Sequence, residues 1–252
     1  MEKIFIPVDR GDYIATLVFV PESKSRLAVV ICHGFRGTKE NSGKIYAFAD
    51  KLTRRGFMVA AFDFRGSGES SGAFGDMTLT RQVGDLKQVC AYIGNRWRLP
   101  QILLGRSFGG TTVIAAAPHL PEARGYILWS APFNLPLVFA GLLGDDYQRL
   151  MHGNSVVLSD EGGQFELKPS LLLDFKAHDM VMNLMAMRNK PVLVVHGKED
   201  EAVAVQNACD ILAHLPGATL HLVPGADHRF TDMVEHREAI TIDWIDRHFV
   251  EG

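Results

Sequence analysis

The stretch ILLGRSFGGT, residues 102–111, sets one serine between glycines directly after an apolar run. Gly105 to Gly109 match the pattern G-x-S-x-G, and the residues that follow, GTTVIAAAPHL (110–120), are typical of a helix. A strand, a sharp turn and a helix in succession force the central serine into a strained, exposed conformation. The stretch therefore predicts that Ser107 is a nucleophile, and a plain turn serine is the weaker interpretation.

Composition narrows the classes of protein that this chain can be. The 252 residues are 47% hydrophobic and carry a net charge of −3, which fits one large α/β domain or two small ones. Charges of both signs are interspersed, so no basic stripe for nucleic acid and no polybasic membrane anchor is expected. The first residues, MEKIFIPVDRGD, are charged and lack a continuous apolar core. We therefore expect neither a signal peptide nor a spanning helix, and a cytoplasmic location.

The cysteine and histidine spacing bears on metals and disulfides. Cys32, Cys90 and Cys209 are far apart and odd in number, which argues against a disulfide framework. We expect each to be a small core residue. Metal-ligand spacings such as H-E-x-x-H do not occur, so the sequence predicts no metal and no cofactor.

Apolar runs recur along the chain, and the later ones are continuous rather than alternating. Continuous runs are typical of strands covered on both faces, and hence of a largely parallel sheet. Helix-like segments lie between them, which indicates the α/β class. The turn DRGD (9–12) predicts an antiparallel hairpin at one sheet edge. The runs are YIATLVFV (13–20), LAVVICHG (27–34), FMVAAFDF (57–64), QILLGRS (101–107), GYILWSA (125–131), PVLVVHG (191–197) and ATLHLVPG (218–225).

The alternation of apolar runs and helix-like segments is interrupted between residues 133 and 189. The segment contains LPLVFAGLLGDDYQRLM (135–151), a predicted hairpin NSVVLSDEGGQFEL (154–167) and a methionine-rich stretch HDMVMNLMAMR (178–188). We interpret 133–189 as a small cap or lid subdomain inserted between the two parts of one core, 1–132 and 190–252. Packing within the subdomain is favoured for the methionines over a pliable wall of a ligand pocket.

A nucleophilic serine requires a base, and the base requires an acid that orients it. His228, in LVPGADHRF (222–230), lies in a loop after the last strand-like run, at the carboxyl edge of the sheet where Ser107 also lies. Asp200, in VLVVHGKEDEAV (192–203), ends the preceding run in the same way, with Glu199 and Glu201 as rivals. The sequence therefore predicts a triad in the order Ser107, Asp200, His228.

An oxyanion hole needs two backbone N–H groups directed at the developing charge. We expect one from Phe108, directly after the nucleophile, and the other from Phe35, in the loop that Gly34 opens. His33 is interpreted as hydrogen-bonded to the backbone and shaping that loop, without a catalytic role.

Five ordered motifs resemble one family: VVICHGFRGTKEN (29–41), FDFRGSGESSG (62–72), GRSFGG (105–110), HGKEDEAV (196–203) and GADHRF (225–230). They are similar to those of α/β-hydrolase serine esterases, and within them to bacterial cinnamoyl/feruloyl esterases and related small carboxylesterases. The resemblance implies a mostly parallel eight-stranded sheet flanked by helices, with a small inserted cap. It also implies Ser107, Asp200 and His228 as the triad and Phe35 and Phe108 as oxyanion donors.

Arg106 departs from the pattern of this family, because many relatives carry histidine or a small residue before the nucleophile. Pairing with a carboxylate such as Asp85 beneath the site is the favoured interpretation, and contact with an acidic substrate group is the alternative.

The expected activity is hydrolysis of a small-molecule carboxylic ester, aromatic or short-chain, through an acyl-enzyme. Thioesters, amides and short peptides stay open, as does a ligand-binding receptor on the same scaffold. An aminopeptidase would need paired carboxylates, for which Asp145 and Asp146 are the candidates, although they are better interpreted as a polar turn. Monomer and homodimer both stay open. The candidate substrate-binding residues lie in the inserted segment: Phe139, Leu142, Leu143, Tyr147 and Gln148.

Overall fold

The computed structural model describes residues 1–160 and 162–250, apart from the side chain of Arg10. Its strands are β1 (Glu2–Pro7), β2 (Tyr13–Phe19), β3 (Leu27–Cys32), β4 (Phe57–Phe62), β5 (Gln101–Arg106), β6 (Gly125–Trp129), β7 (Val156–Asp160), β8 (Gly163–Leu167), β9 (Val192–Gly197) and β10 (Thr219–Val223). Its α-helices are α1 (Lys44–Thr53), α2 (Leu79–Trp97), α3 (Phe108–Ala116), α4 (Leu135–Leu143), α5 (Asp145–Met151), α6 (Ser170–Asp174), α7 (Met180–Met185), α8 (Gln206–His214) and α9 (Val234–Phe249). Across the described residues, no helix is both long and apolar enough to cross a bilayer.

One eight-stranded sheet organises the chain, in the order β1-β2-β4-β3-β5-β6-β9-β10. Strands β1 and β2 form the antiparallel edge hairpin predicted from the turn at 9–12, and β2 is also antiparallel to β4. Every other pairing in this sheet is parallel. The α/β class and the mostly parallel eight-stranded sheet are thus confirmed. Because parallel strands share one carboxyl edge, the loops after β3, β5, β9 and β10 meet there.

Both faces of the sheet are covered, which explains the continuous apolar runs. In β4 all six residues are buried. Met58, Ala60 and Phe62 pack toward α2 and α3, whereas Phe57 and Val59 pack toward α1 and α9. Each fully buried side chain of this size contributes about 1.5–3 kcal/mol relative to exposure. The two clusters together hold the carboxyl edge rigid.

The segment between β6 and β9 contains helices α4 to α7 and the separate hairpin β7–β8. Its buried side chains, among them Phe139, Val156 and Leu184, belong to the same hydrophobic cluster as the sheet residues that face α2 and α3. Of its methionines, Met187 is fully buried while Met182 is exposed. Neither lines the cavity that opens at Ser107, which is described below. The segment is therefore packed continuously onto the core.

Candidate active site

Ser107 lies in the turn between β5 and α3, with φ 51° and ψ −128°. A residue with a side chain rarely adopts this conformation, so the surrounding contacts must hold it. The Ser107 N–H donates to the carbonyl of Trp129 at 2.7 Å. A Cβ on Gly109 would overlap the carbonyl groups of Cys32 and His33, and one on Gly105 would overlap the backbone of Gly109. The glycines thus permit the close packing that presents the serine.

The three side chains predicted as a triad are hydrogen-bonded in sequence. The Ser107 hydroxyl lies 3.0 Å from Nε2 of His228. Nδ1 of His228 lies 2.9 Å and 3.0 Å from the two carboxylate oxygens of Asp200. With Nδ1 donating its proton to the carboxylate, Nε2 is left free to accept the hydroxyl proton. The two alternatives to Asp200 as the acid have other partners: Glu199 accepts the N–H of Gly225, and Glu201 accepts the N–H of His228.

The Asp200 carboxylate is held in place by several donors. Its Oδ1 accepts the backbone N–H groups of Ala202 and Val203, at 3.1 Å and 2.7 Å. Nε2 of His196, fully buried at the end of β9, lies 3.3 Å from Oδ2. Burial raises the pKa of the Asp200 carboxyl, but hydrogen bonds from His196 and His228 outweigh it and hold the pKa well below its usual range. Asp200 is therefore ionised at neutral pH.

His196 was missed by the sequence analysis. It stands two residues inside the end of a buried strand, where a histidine is typical of a satisfied core residue. The sequence signal that would have found it is its spacing of four residues from Asp200. Its Nε2 also contacts the carbonyl of Val203 at 2.8 Å, so it links β9 to the loop that carries the acid.

The two predicted oxyanion donors are unengaged backbone groups. Phe108 is the first residue of α3, and its N–H has no acceptor within the helix. Neither this N–H nor that of Phe35 donates to another described residue. The Gly34 Cα stands close enough to Ser107 that a Cβ there would contact the serine Cβ at 3.0 Å. The loop after β3 thus brings the Phe35 backbone next to Ser107, with the positive end of α3 on the other side.

His33 fixes this loop through both of its ring nitrogens. Nδ1 lies 2.8 Å from the carbonyl of Gly34, and Nε2 lies 3.1 Å from the N–H of Phe64. Burial lowers the pKa of His33, so the ring is neutral, with Nδ1 donating and Nε2 accepting. The structure thus places His33 in the backbone-bonded position that the sequence suggested.

A cavity of about 860 Å³ opens at Ser107 and His228. One wall is apolar and aromatic, with the ring of Phe35 at 5.7 Å from Phe139 and 6.0 Å from Phe165. The other wall, toward α1 and α9, contains Arg106, Trp129 and Arg237. The site therefore combines a hydrophobic and a cationic half on either side of the nucleophile.

The candidate substrate residues of the inserted segment divide into two groups. Phe139, Leu142 and Leu143, all on α4, line the cavity. Tyr147 and Gln148 are not brought to it: Tyr147 packs against the hydrophobic core and Gln148 is exposed. The physical reason is the break at Gly144, with φ 54°, where α4 ends and the short helix α5 begins with a new direction.

The expected pairing of Arg106 with Asp85 is wrong. The two carboxylate oxygens of Asp85 accept hydrogen bonds from the backbone N–H of Arg65 at 2.9 Å and from its Nε at 2.6 Å. Arg106 instead donates from Nη1 to the side-chain oxygen of Asn41 at 3.1 Å. Successive residues of β5 alternate between the faces of the sheet, and Arg106 shares the face of Leu104, toward α1, whereas Asp85 belongs to α2 on the opposite face.

Arg36 connects the oxyanion loop to the inserted segment. Its Nε and Nη2 donate to the two carboxylate oxygens of Asp160 at 2.9 Å and 2.7 Å, and its guanidinium stacks over Phe165 at 4.2 Å. The hydrogen bonds from Arg36 lower the pKa of the Asp160 carboxyl to about 2. Since the ordinary value is near 4, the contact is complete above that pH and is lost as the pH falls through about 2.

We expect Arg36→Ala to raise KM roughly threefold to tenfold with little change in kcat, because the loss of a bidentate and a stacked contact frees the hairpin over the cavity. Steady-state kinetics at about pH 5 and about pH 8 should show the same ratio, since Asp160 is ionised at both. Arg55→Ala, which removes the exposed pair with Asp246, is the matched control. An unchanged KM would show that the contact does not shape the site.

The fold and this geometry define a class: an α/β hydrolase with its serine on the turn after the fifth strand. Residues 23–159 match the Hydrolase_4 family, described as serine aminopeptidase, S33. The chain belongs to this family and is a hydrolase, which confirms the resemblance to α/β-hydrolase esterases.

Similar proteins agree on the fold over the whole chain. A monoacylglycerol lipase of Mycolicibacterium smegmatis is 25% identical, covering 92% of both chains. Est1E from Butyrivibrio proteoclasticus, solved with ferulic acid bound, superposes with a TM-score of 0.87 at 23% identity, over 98% of this chain and 100% of that one. The esterase domain of a Rhodothermus marinus protein gives a TM-score of 0.75 at 21% identity, over 98% of both.

Proposed function

We propose that the protein hydrolyses carboxylic esters of small molecules through a Ser107–His228–Asp200 triad and an acyl-enzyme intermediate. The observation that carries this proposal is the unbroken chain of hydrogen bonds from the Ser107 hydroxyl through His228 to the ionised Asp200. The backbone N–H groups of Phe35 and Phe108, which donate to no described residue, lie beside Ser107 and support the same conclusion.

In the first half of the reaction, Oγ of Ser107 forms a bond to the ester carbonyl carbon and its proton passes to Nε2 of His228. The carbonyl oxygen becomes an oxyanion, which the N–H groups of Phe35 and Phe108 bind. The bond to the alcohol oxygen then breaks, and His228 gives its proton to the leaving alcohol. The acyl group remains on Ser107.

In the second half, His228 takes a proton from water as the water oxygen attacks the acyl carbon. The tetrahedral intermediate collapses, the proton returns to Oγ of Ser107, and the carboxylic acid leaves. Asp200 holds the Nδ1 tautomer and stabilises the imidazolium in both halves.

The apolar wall supports an aromatic or medium-chain group next to the reacting carbonyl. Phe35, Phe139 and Phe165 form a connected set of edge-to-face rings, and Phe108 stands 5.4 Å from Phe139. Such a wall favours a flat apolar group. That Est1E was solved with ferulic acid is consistent with this choice. We include residues 133–189 in the proposal as a cap that completes this wall.

The family description names aminopeptidases, yet the cavity does not favour an amine. Three carboxylates line it, against six Lys and Arg side chains among the described lining residues. Each carboxylate already has a donor: Asp160 from Arg36, Glu201 from the His228 N–H, and Glu238 from Lys51 at 2.8 Å. The aspartates considered for such a role, Asp145 and Asp146, begin α5 and do not line the cavity. Ester hydrolysis is therefore preferred over aminopeptidase activity.

A substrate panel tests the proposal. We expect methyl ferulate and p-nitrophenyl esters of short and medium acids to be turned over, with amino-acid anilides at least about a hundredfold slower in kcat/KM because no unengaged carboxylate awaits the amine. The measurement is kcat/KM for each ester and for each amino-acid anilide under the same conditions.

Faster cleavage of the amino-acid anilides would replace the ester assignment by the aminopeptidase one. Turnover limited to short aliphatic esters would keep the chemistry and remove the aromatic preference.

A further inference from the structure

Two arginines in the cationic half of the cavity have no carboxylate partner among the residues that the structure describes. Arg237, on α9, is 2% exposed, and its guanidinium donates no hydrogen bond to any described residue. Nε of Arg106 is likewise buried without an acceptor, although Nη1 reaches Asn41. Buried guanidinium groups are almost always paired, so this arrangement calls for an acceptor from outside the chain.

Aromatic contacts do not supply that acceptor. The Arg237 guanidinium lies 4.1 Å from the ring centre of Trp129 and 5.1 Å from that of Phe230. Stacking of this kind satisfies the faces of a guanidinium and holds its plane. The N–H donors point along the edges, in the plane: Nε is buried without an acceptor, and the Nη groups donate to no described residue. Arg237 is thus oriented but not neutralised.

The charges nearby do not neutralise the pair either. Asp200 and Asp227 act on Arg106 at a distance, and Glu238 and Asp227 act on Arg237. Each of the three has another partner: Asp200 is bonded to His228, Asp227 to Thr231 and Glu238 to Lys51. Arg229 adds a further positive charge. Burial and repulsion from Arg106 lower the pKa of Arg237 to about 9, which still leaves it protonated at neutral pH. Both arginines therefore carry their charge in the folded protein.

The two arginines also lie close to the residues proposed to carry out the reaction. Arg106 precedes Ser107 directly, and Trp129, which stacks on Arg237, accepts the N–H of Ser107. Arg106, Arg237, Ser107 and His228 all line the same cavity. A group held by the arginines can therefore be joined to the reacting carbonyl by a short chain.

We propose that Arg106 and Arg237 form an anion subsite that binds a carboxylate carried by the substrate. The inference rests on the proposed ester hydrolysis and deepens it: the substrate is a monoanionic ester, such as a monoester of a short dicarboxylic acid. A guanidinium presents donors in a planar fork that matches a carboxylate, and each such charge-assisted contact exceeds a neutral one in strength.

Matched ester pairs test the subsite on either side of the scissile bond. On the acyl side, the p-nitrophenyl monoester of adipic acid is compared with the same ester of adipic acid monoamide. On the alcohol side, the acetate ester of γ-hydroxybutyrate is compared with that of γ-hydroxybutyramide. We expect one pair to favour the carboxylate by about tenfold or more in kcat/KM. Ratios near one in both pairs would overturn the proposal.

Substitutions attribute the preference to the arginine. Arg237→Met should abolish the ratio, Arg237→Lys should leave an intermediate one, and Arg247→Met, on the exposed face of the same helix, should keep it. Because Arg237→Met removes an unpaired buried charge, its Tm should be at or above that of the wild type. A lower Tm with the ratio intact would identify a purely structural arginine and overturn the proposal.

Binding measurements separate this inference from the esterase assignment. Calorimetry on Ser107→Ala compares adipate with adipamide, and adds chloride or acetate at constant ionic strength. Adipate binding that disappears in Ser107→Ala/Arg237→Met supports the subsite even if no ester is hydrolysed. Binding of chloride or acetate with no preference for adipate over adipamide would assign the site to a free anion and overturn the substrate role.

Discussion

Ser107→Ala is expected to lower kcat/KM for the best ester by about 10⁵-fold to 10⁶-fold, because no other group can form the acyl-enzyme. The oxyanion donors and the cavity stay in place in this variant, so substrate affinity should change little. A fluorophosphonate probe should label the wild type and leave Ser107→Ala unlabelled, since the probe reacts only with an activated serine.

The control for this variant is Ser155→Ala, an exposed serine before β7. It should keep both turnover and labelling. If Ser107→Ala retained more than about a hundredth of the wild-type rate, the nucleophile assignment would fail, because removal of any member of a working triad costs far more.

Lys39→Met is expected to destabilise the fold by about 3–5 kcal/mol, the usual cost of removing one partner of a buried ion pair. Lys39 and Asp63 have fully buried side chains, and Nζ lies 2.7 Å from Oδ2. Asp63 also accepts the backbone N–H groups of Lys39 and Glu69, so it cannot leave the interior when its cation is removed. Urea unfolding of the wild type and the variant measures the difference.

A second substitution identifies the cause of that loss. Lys39→Met/Asp63→Asn removes both charges and keeps one amide oxygen, which can accept one of the two N–H groups that the two carboxylate oxygens receive, so it should recover part of the stability. A double variant no more stable than the single one would attribute the loss to packing instead. Since Lys39 lies in the loop that carries Phe35, the single variant should also lose activity at temperatures where it is still folded.

The sequence predicts which side chains the ends of the parallel strands bring close together. Ser107 comes directly after a continuous apolar run, and Asp200 and His228 lie in the loops that follow two later runs. Parallel strands bring such positions to one edge of the sheet. The strained turn at Ser107 could be predicted as well, because its causes, two glycines and a following helix, lie within five residues.

The choice of side-chain partners could not be predicted in the same way. Arg106 was expected to pair with Asp85, but the alternation of β5 turns Arg106 to the other face, where it donates to Asn41, and Arg65 pairs with Asp85 instead. Arg237 lies 130 residues after Ser107 in a helix whose apolar spacing indicates packing alone. Tyr147 does not reach the cavity because α5 takes a new direction after Gly144, and that direction depends on the backbone conformation of Gly144. These features depend on three-dimensional neighbours that no local pattern encodes.

The continuous packing of residues 133–189 onto the sheet limits which sequence changes this segment can accept. A segment whose interior side chains are shared with the core cannot be exchanged for a relative's as a module, because the replacement would have to refill the same interior. We therefore expect the range of accepted substrates to change through single exposed positions of the cavity wall, such as Leu142 on α4. Relatives should then differ mainly at the mouth of the cavity and keep the packing beneath it.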